Sequence, residues 1–125
     1  MSNDAQFIRV APGTVATADT HPIVRASSIY GGFTVTAAYV IAGGAGTANV
    51  ILQNYGTSGT VAGGTVAGFT AGTTVFVADS PQELTITAAN QFIDDGEWLV
   101  LKMDGALPAN SIVMIETVPG ITSVG

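Results

Sequence analysis

Apolar side chains recur at every second position over residues 33–41, where Phe33, Val35, Ala37, Tyr39 and Ile41 fall on one face and Thr34 and Thr36 on the other. A period of two belongs to a pleated strand with one buried face, so the spacing predicts a half-buried strand there. Glu83–Ala88 has the same pattern, with Leu84 and Ile86 inward and Glu83, Thr85 and Thr87 outward. Further strands are expected at Phe7–Val10, Ile23–Tyr30, Thr47–Tyr55, Thr60–Phe69, Thr73–Ala78, Glu97–Met103 and Ser111–Val118, each bounded by Gly, Asn, Asp or Pro. No stretch sustains a helical period.

The pentad Gly59-Thr60-Val61-Ala62-Gly63 repeats at once as Gly64-Thr65-Val66-Ala67-Gly68. Val61 and Val66 differ by an odd number of positions, so a hairpin at Gly63-Gly64 is expected to bring both to one face. A phosphate-binding glycine loop would need a helix to follow it, and the pattern offers none.

Many short strands with regular turn signals predict an all-β fold: an antiparallel β-sandwich, jelly-roll or immunoglobulin-like, with an extended N-terminal arm. Residues 1–30 are expected to hold the arm and first strands and residues 31–125 the sandwich, within a single domain of 125 residues. The late strands are apolar on both faces: Leu99, Leu101 and Met103 against Trp98 and Val100, and Ile112 and Met114 against Val113 and Ile115. In a two-layer sandwich the outward face is normally wet, so a second cover is implied. Either sister subunits supply it or Phe7, Ile8 and Val10 fold back over the sheet.

Charge sharpens this picture. Only 10% of residues are charged, against about 25% in ordinary soluble domains, and none occurs between Arg25 and Asp79. Three basic residues against nine acidic ones give a net charge of −6, which disfavours nucleic acid and anionic membranes as partners. No apolar run reaches the roughly 18 residues needed to span a bilayer. The start, Met1-Ser2-Asn3-Asp4, lacks the basic and apolar regions of an export signal. With no cysteine, thiolate chemistry, disulfides and cysteine-type zinc sites are excluded.

Catalytic motifs are equally sparse. His21 is the sole histidine and precedes Pro22 in an expected loop, and Ser58 lies in Gly56-Thr57-Ser58-Gly59-Thr60, which lacks the last glycine of a nucleophile elbow. Asp94-Asp95-Gly96-Glu97 reads as a tight turn opening a strand, with a cation site as the rival reading. Spacing alone leaves open a glycosidase-type pair of Asp79 or Glu83 with Asp94 or Asp104. No catalytic residue, cofactor or metal ligand is assigned, and the chain is expected not to be an enzyme.

The Gly/Thr/Ala/Val-rich strands at Phe33–Ala42 and Thr60–Val77 precede Asp95-Gly96-Glu97-Trp98-Leu99-Val100-Leu101 and Asn110-Ser111-Ile112-Val113. In this texture the chain resembles the small β-sandwich capsid decoration, or cement, proteins of tailed bacteriophages. The resemblance implies a homotrimer made in the host cytoplasm and clamped on the outer capsid of the virion at local three-fold positions, bridging neighbouring major capsid proteins. It brings no catalytic motif and no cofactor. Trp98, Val100, Ile112 and Met114 are then expected near the trimer interface or core, with Phe7, Ile8 and Val10 on an arm reaching a neighbour. The alternatives are a phage tail or fibre component or a carbohydrate-binding surface adhesin of the same sandwich type.

Overall fold

The computed structural model of the chain describes residues 6–10, 20–26, 31–59, 63–70, 72–105 and 107–119. Valine, threonine and isoleucine recur through the strands and suit a pleated surface, and the strands are β1 (Gln6–Val10), β2 (Thr20–Arg25), β3 (Phe33–Ile41), β4 (Gly46–Asn54), β5 (Thr65–Gly68), β6 (Thr74–Phe76), β7 (Pro81–Glu83), β8 (Thr85–Ile86), β9 (Phe92–Ile93), β10 (Trp98–Asp104) and β11 (Ile112–Pro119). One 3-10 turn, Ala88–Asn90, separates β8 from β9.

All pairings are antiparallel and form two sheets. Sheet A runs β1-β11-β3-β7, with β9 beside the start of β3; sheet B runs β2-β10-β4-β5-β8, with β6 beside the start of β4. Nearly every connection crosses from one sheet to the other, β4-β5-β6 excepted, so β1-β11-β3 in one layer matches β2-β10-β4 in the other. That wrapped connectivity is a jelly roll's; an immunoglobulin-like order would keep several consecutive pairs as hairpins within a sheet.

The core lies between the layers. Val35, Ala38 and Val40 of β3, with Val113 and Ile115 of β11, meet Val50 and Leu52 of β4 and Leu99, Leu101 and Met103 of β10, all buried. At roughly 1.5–3 kcal/mol for each large apolar side chain enclosed, this cluster is the main source of stability in a chain without disulfides.

Five sequence expectations are corrected. Phe33, Val35, Ala37, Tyr39 and Ile41 do not share a face. Glu116 pairs with Ala37 and Thr117 with Val35, which leaves Thr36 as an extra residue in β3. Such a β-bulge shifts the alternation by one position: Val35 points into the core, but beyond the bulge Ala38 and Val40 do so while Tyr39 and Ile41 stay half-exposed. The Thr36 hydroxyl donates to Glu116 Oε1 at 2.9 Å, fixing the bulge from the solvent side.

The glycine pair Gly63-Gly64 is no hairpin turn. Gly63 N–H donates to Asn54 O at 2.7 Å and Asn54 N–H to Gly64 O at 3.0 Å, so both glycines continue the pairing towards β5. A turn begins earlier, at 55–59, where Asn54 Oδ1 accepts from Gly56 N–H at 2.8 Å in a side-chain turn of the kind asparagine favours. Residues 60–62 of the first pentad lie outside the described residues.

Nor does Glu83–Ala88 form one strand. Leu84 and Ile86 do turn towards the core, but the chain changes layers between them: Leu84 N–H donates to Ala38 O of β3 and Thr87 N–H to Val66 O of β5, each at 2.9 Å. This corner closes one side of the sandwich. Gln82 reinforces it, its Oε1 accepting from Val77 N–H at 2.9 Å and its Nε2 donating to Val75 O at 3.1 Å. The side-chain amide thus pairs the outer edge of β6 as a strand would, which also blunts an edge open to aggregation. Gln82→Ala is expected to cost about 1–2 kcal/mol in urea unfolding, given two modest hydrogen bonds.

His21 and Pro22 lie within β2 rather than in a loop. Proline is tolerated there because β2 is an edge strand, and the pairing slips beside it, Leu99 opposite Val24 but Val100 opposite Pro22.

Residues 6–10, expected on an extended arm, form an edge strand of the sandwich itself, with β1 paired to β11 from Gln6↔Thr117 to Val10↔Val113. Ile8 packs against the core. Residues 1–5 and 11–19 lie outside the described residues.

Candidate interaction surface

The outward faces of the two sheets differ. On sheet B, β10 alternates strictly: Leu99, Leu101 and Met103 enter the core, whereas Val100 points the other way and is nevertheless 0% exposed. Its cover is intramolecular, so Val100 presents no surface to a partner. Trp98, next along that face, is half-buried. The turn at 55–59 is tied to it, since Trp98 N–H donates to Gly56 O and Tyr55 N–H to Trp98 O, both at 2.9 Å. A Cβ on Gly59 would stand 3.1 Å from Trp98 Cδ1, and the φ of +72° there also suits glycine. Gly59→Ala is expected to destabilise the fold by about 1–2 kcal/mol and to shift the emission of Trp98, the sole tryptophan.

Sheet A is covered less completely. Because the bulge at Thr36 turns Tyr39 and Ile41 outward, they join Ile112 and Met114 of β11 on one face, all four half-exposed and outside the core cluster. The register sets them in rows. Pro81, Ile41 and Ile112 stand side by side across β7, β3 and β11, and the next row reads Glu83, Tyr39, Met114 and Arg9 across β7, β3, β11 and β1. Pro81, Glu83 and Arg9 are exposed. An apolar patch thus spans two rows in the middle of the sheet, with Glu83 and Arg9 at its flanks and the Glu116 carboxylate, bonded to Thr36, one row further along β11 on the same face.

The expected interface residues therefore part company. Ile112 and Met114 lie on this patch; Ile8 packs inward, and the Phe7 and Val10 backbones are paired in β1 opposite Glu116 and Val113. Tyr39, Ile41 and Pro81 were not visible as surface residues in the sequence, because only the bulge puts the first two outside. Two further apolar side chains are exposed, Val75 at 71% and Val77 at 60%, on and just after β6.

The groups considered for chemistry are dispersed or engaged in turns. Glu97 Oε1 accepts from Asn54 Nδ2 at 2.9 Å and from Asp94 N–H at 2.8 Å, and Asp94 Oδ1 accepts from Asp95 N–H at 2.7 Å. Asp94-Asp95-Gly96-Glu97 is thereby organised as a turn, and among the described residues no group of three or more His, Asp or Glu is placed to hold a metal ion. Glu83 sits beside Tyr39 and Asp94 follows Ile93, the partner of Phe33. These carboxylates belong to opposite ends of β3, about 15–20 Å apart by strand rise, well beyond the roughly 5–9.5 Å of a glycosidase pair. Asp104 is exposed at the end of β10 in the other sheet. The His21 backbone lies opposite Leu101, and Ser58 is exposed in the 55–59 turn.

No helix among the described residues is long and apolar enough to cross a membrane. No family model, curated protein or solved structure matches the chain.

Proposed function

We propose that this chain is a structural protein of a virion, which binds the outer surface of a phage capsid as a homotrimer and stabilises the lattice by bridging major capsid proteins. The observation that carries the reading is the outer face of sheet A, where Tyr39, Ile41, Ile112 and Met114 form a half-exposed apolar patch in a sheet whose other face is already buried. Contiguous apolar surface of this kind marks contact with another macromolecule. The jelly-roll connectivity is one that viral capsid domains share with lectins.

No turnover is required of such a protein. Binding the assembled lattice but not its dissociated subunits, it shifts the equilibrium towards the lattice by its own binding free energy, and a trimer engaging several sites at once multiplies the effect. The carbohydrate-binding alternative draws less support, since the strongly exposed large apolar side chains among the described residues are the valines 75 and 77, with no aromatic platform beside them.

Mass spectrometry of purified source virions tests the reading. The chain is expected in a fixed ratio to the major capsid protein, and stripping it should lower the temperature at which particles release DNA. Its absence from particles, or its presence only at the few copies of a tail component, would refute the assignment.

A further inference from the structure

The same face carries a more specific message in its charges. The row Glu83, Tyr39, Met114, Arg9 crosses four strands, and at about 4.8 Å per strand its acidic and basic ends stand roughly 14 Å apart. Both are exposed, and neither forms an ion pair with another described residue. Only three basic residues exist in the chain, and one of them flanks this patch.

We infer that a second copy of this chain docks on the outer face of sheet A, the two copies being related by a two-fold axis parallel to the strands and midway between β3 and β11. Rotation about that axis reverses the row, so Glu83 of each copy meets Arg9 of the other. The partner's Met114 is laid over Tyr39, and the partner's Ile112 over Ile41. Across these two rows apolar meets apolar and opposite charges meet at the flanks; Glu116, one row further along β11, is engaged by the Thr36 hydroxyl of its own chain. An axis perpendicular to the strands within the interface would instead set Arg9 over Arg9 and Glu83 over Glu83. Sheets stack face to face at about 10 Å with their strands nearly aligned, which this axis permits.

A two-fold contact joins a patch to itself, whereas a three-fold contact joins two different patches. The pairing therefore assigns the outer face of sheet A to a contact that links one trimer to the next, and the three-fold and capsid contacts fall on other surfaces of the chain. It rests on the reading that copies of the chain assemble together, and the two contacts fail separately.

The experiment is sedimentation velocity on the full chain over a range of concentrations, comparing wild type, Arg9→Glu, Glu83→Arg and the double exchange. Each single variant sets like charges together at both flanks, and the paired species is expected to need at least about tenfold more protein to form. The double exchange restores opposite charges and should recover wild-type association. A separate measurement uses the absence of native cysteine: chains carrying Tyr39→Cys, mixed with chains carrying Met114→Cys, are expected to form a mixed covalent pair with a short bismaleimide. If all four proteins associate identically, or the double exchange stays as weak as the single ones, the two-fold pairing is overturned. A trimer unaffected by these changes and lacking any paired form would overturn the pairing while leaving the trimer intact; pairs without trimers would do the reverse.

Discussion

Leu101→Ala is expected to lower the free energy of unfolding by about 2–5 kcal/mol, the usual range when a buried leucine is truncated and its neighbours close the void only in part. Leu101 is fully buried in β10, the strand that joins β2 to β4, and lies opposite Leu52. Neighbours on both sides are held by main-chain pairing, which limits their collapse into the cavity. For a domain whose total stability is about 5–15 kcal/mol, the loss is large, and a urea titration followed through Trp98 measures it. The adjacent Lys102 is exposed, and Lys102→Ala should stay within about 0.5 kcal/mol of wild type. Equal effects at the two positions would show that β10 is not packed between the layers as described.

Met114→Asp should separate folding from assembly. Met114 is half-exposed on the outer face of sheet A, so a carboxylate there remains hydrated in the isolated subunit and changes the unfolding free energy by less than about 1 kcal/mol. In an assembly that covers the face, the same carboxylate loses its water, and any pairing with Arg9 beside it in the row takes Arg9 from its partner across the contact. Association is then expected to weaken by more than about 2 kcal/mol, or roughly 30-fold, while the circular dichroism and melting curve of the subunit stay close to wild type. Undiminished association would remove Met114, and with it the centre of the patch, from any interface.

Sequence periodicity reaches the all-β class and most strand positions because both depend on local pattern: β10 and β11 alternate without interruption, although with both faces apolar the spacing alone does not say which face turns inward. It fails where one residue breaks the register. Thr36 resembles any outward threonine of a strand, yet as a bulge it reverses every later side chain of β3, and the patch around Tyr39 and Ile41 exists only because of that reversal. The crossover at Leu84 is hidden for a similar reason, since a strand that changes sheets keeps its period of two. At Gly63-Gly64 the glycines suggest a turn, but Asn54, bonding to Gly56, begins one several residues earlier. The two apolar faces of β10 correctly signal that an outer cover exists. At Val100 the chain provides that cover itself, which depends on tertiary arrangement and leaves no trace in the strand's own sequence. On β11 the same signal leads to Ile112 and Met114, which keep part of their surface open.

Sedimentation equilibrium of the purified chain at micromolar concentration bears most directly on the claim that other protein shields the outer face of sheet A. Self-association dependent on Met114 is the expected result. A wild-type chain that remains monomeric throughout, with Tyr39 and Met114 as open to solvent labelling as in the isolated subunit, would contradict it.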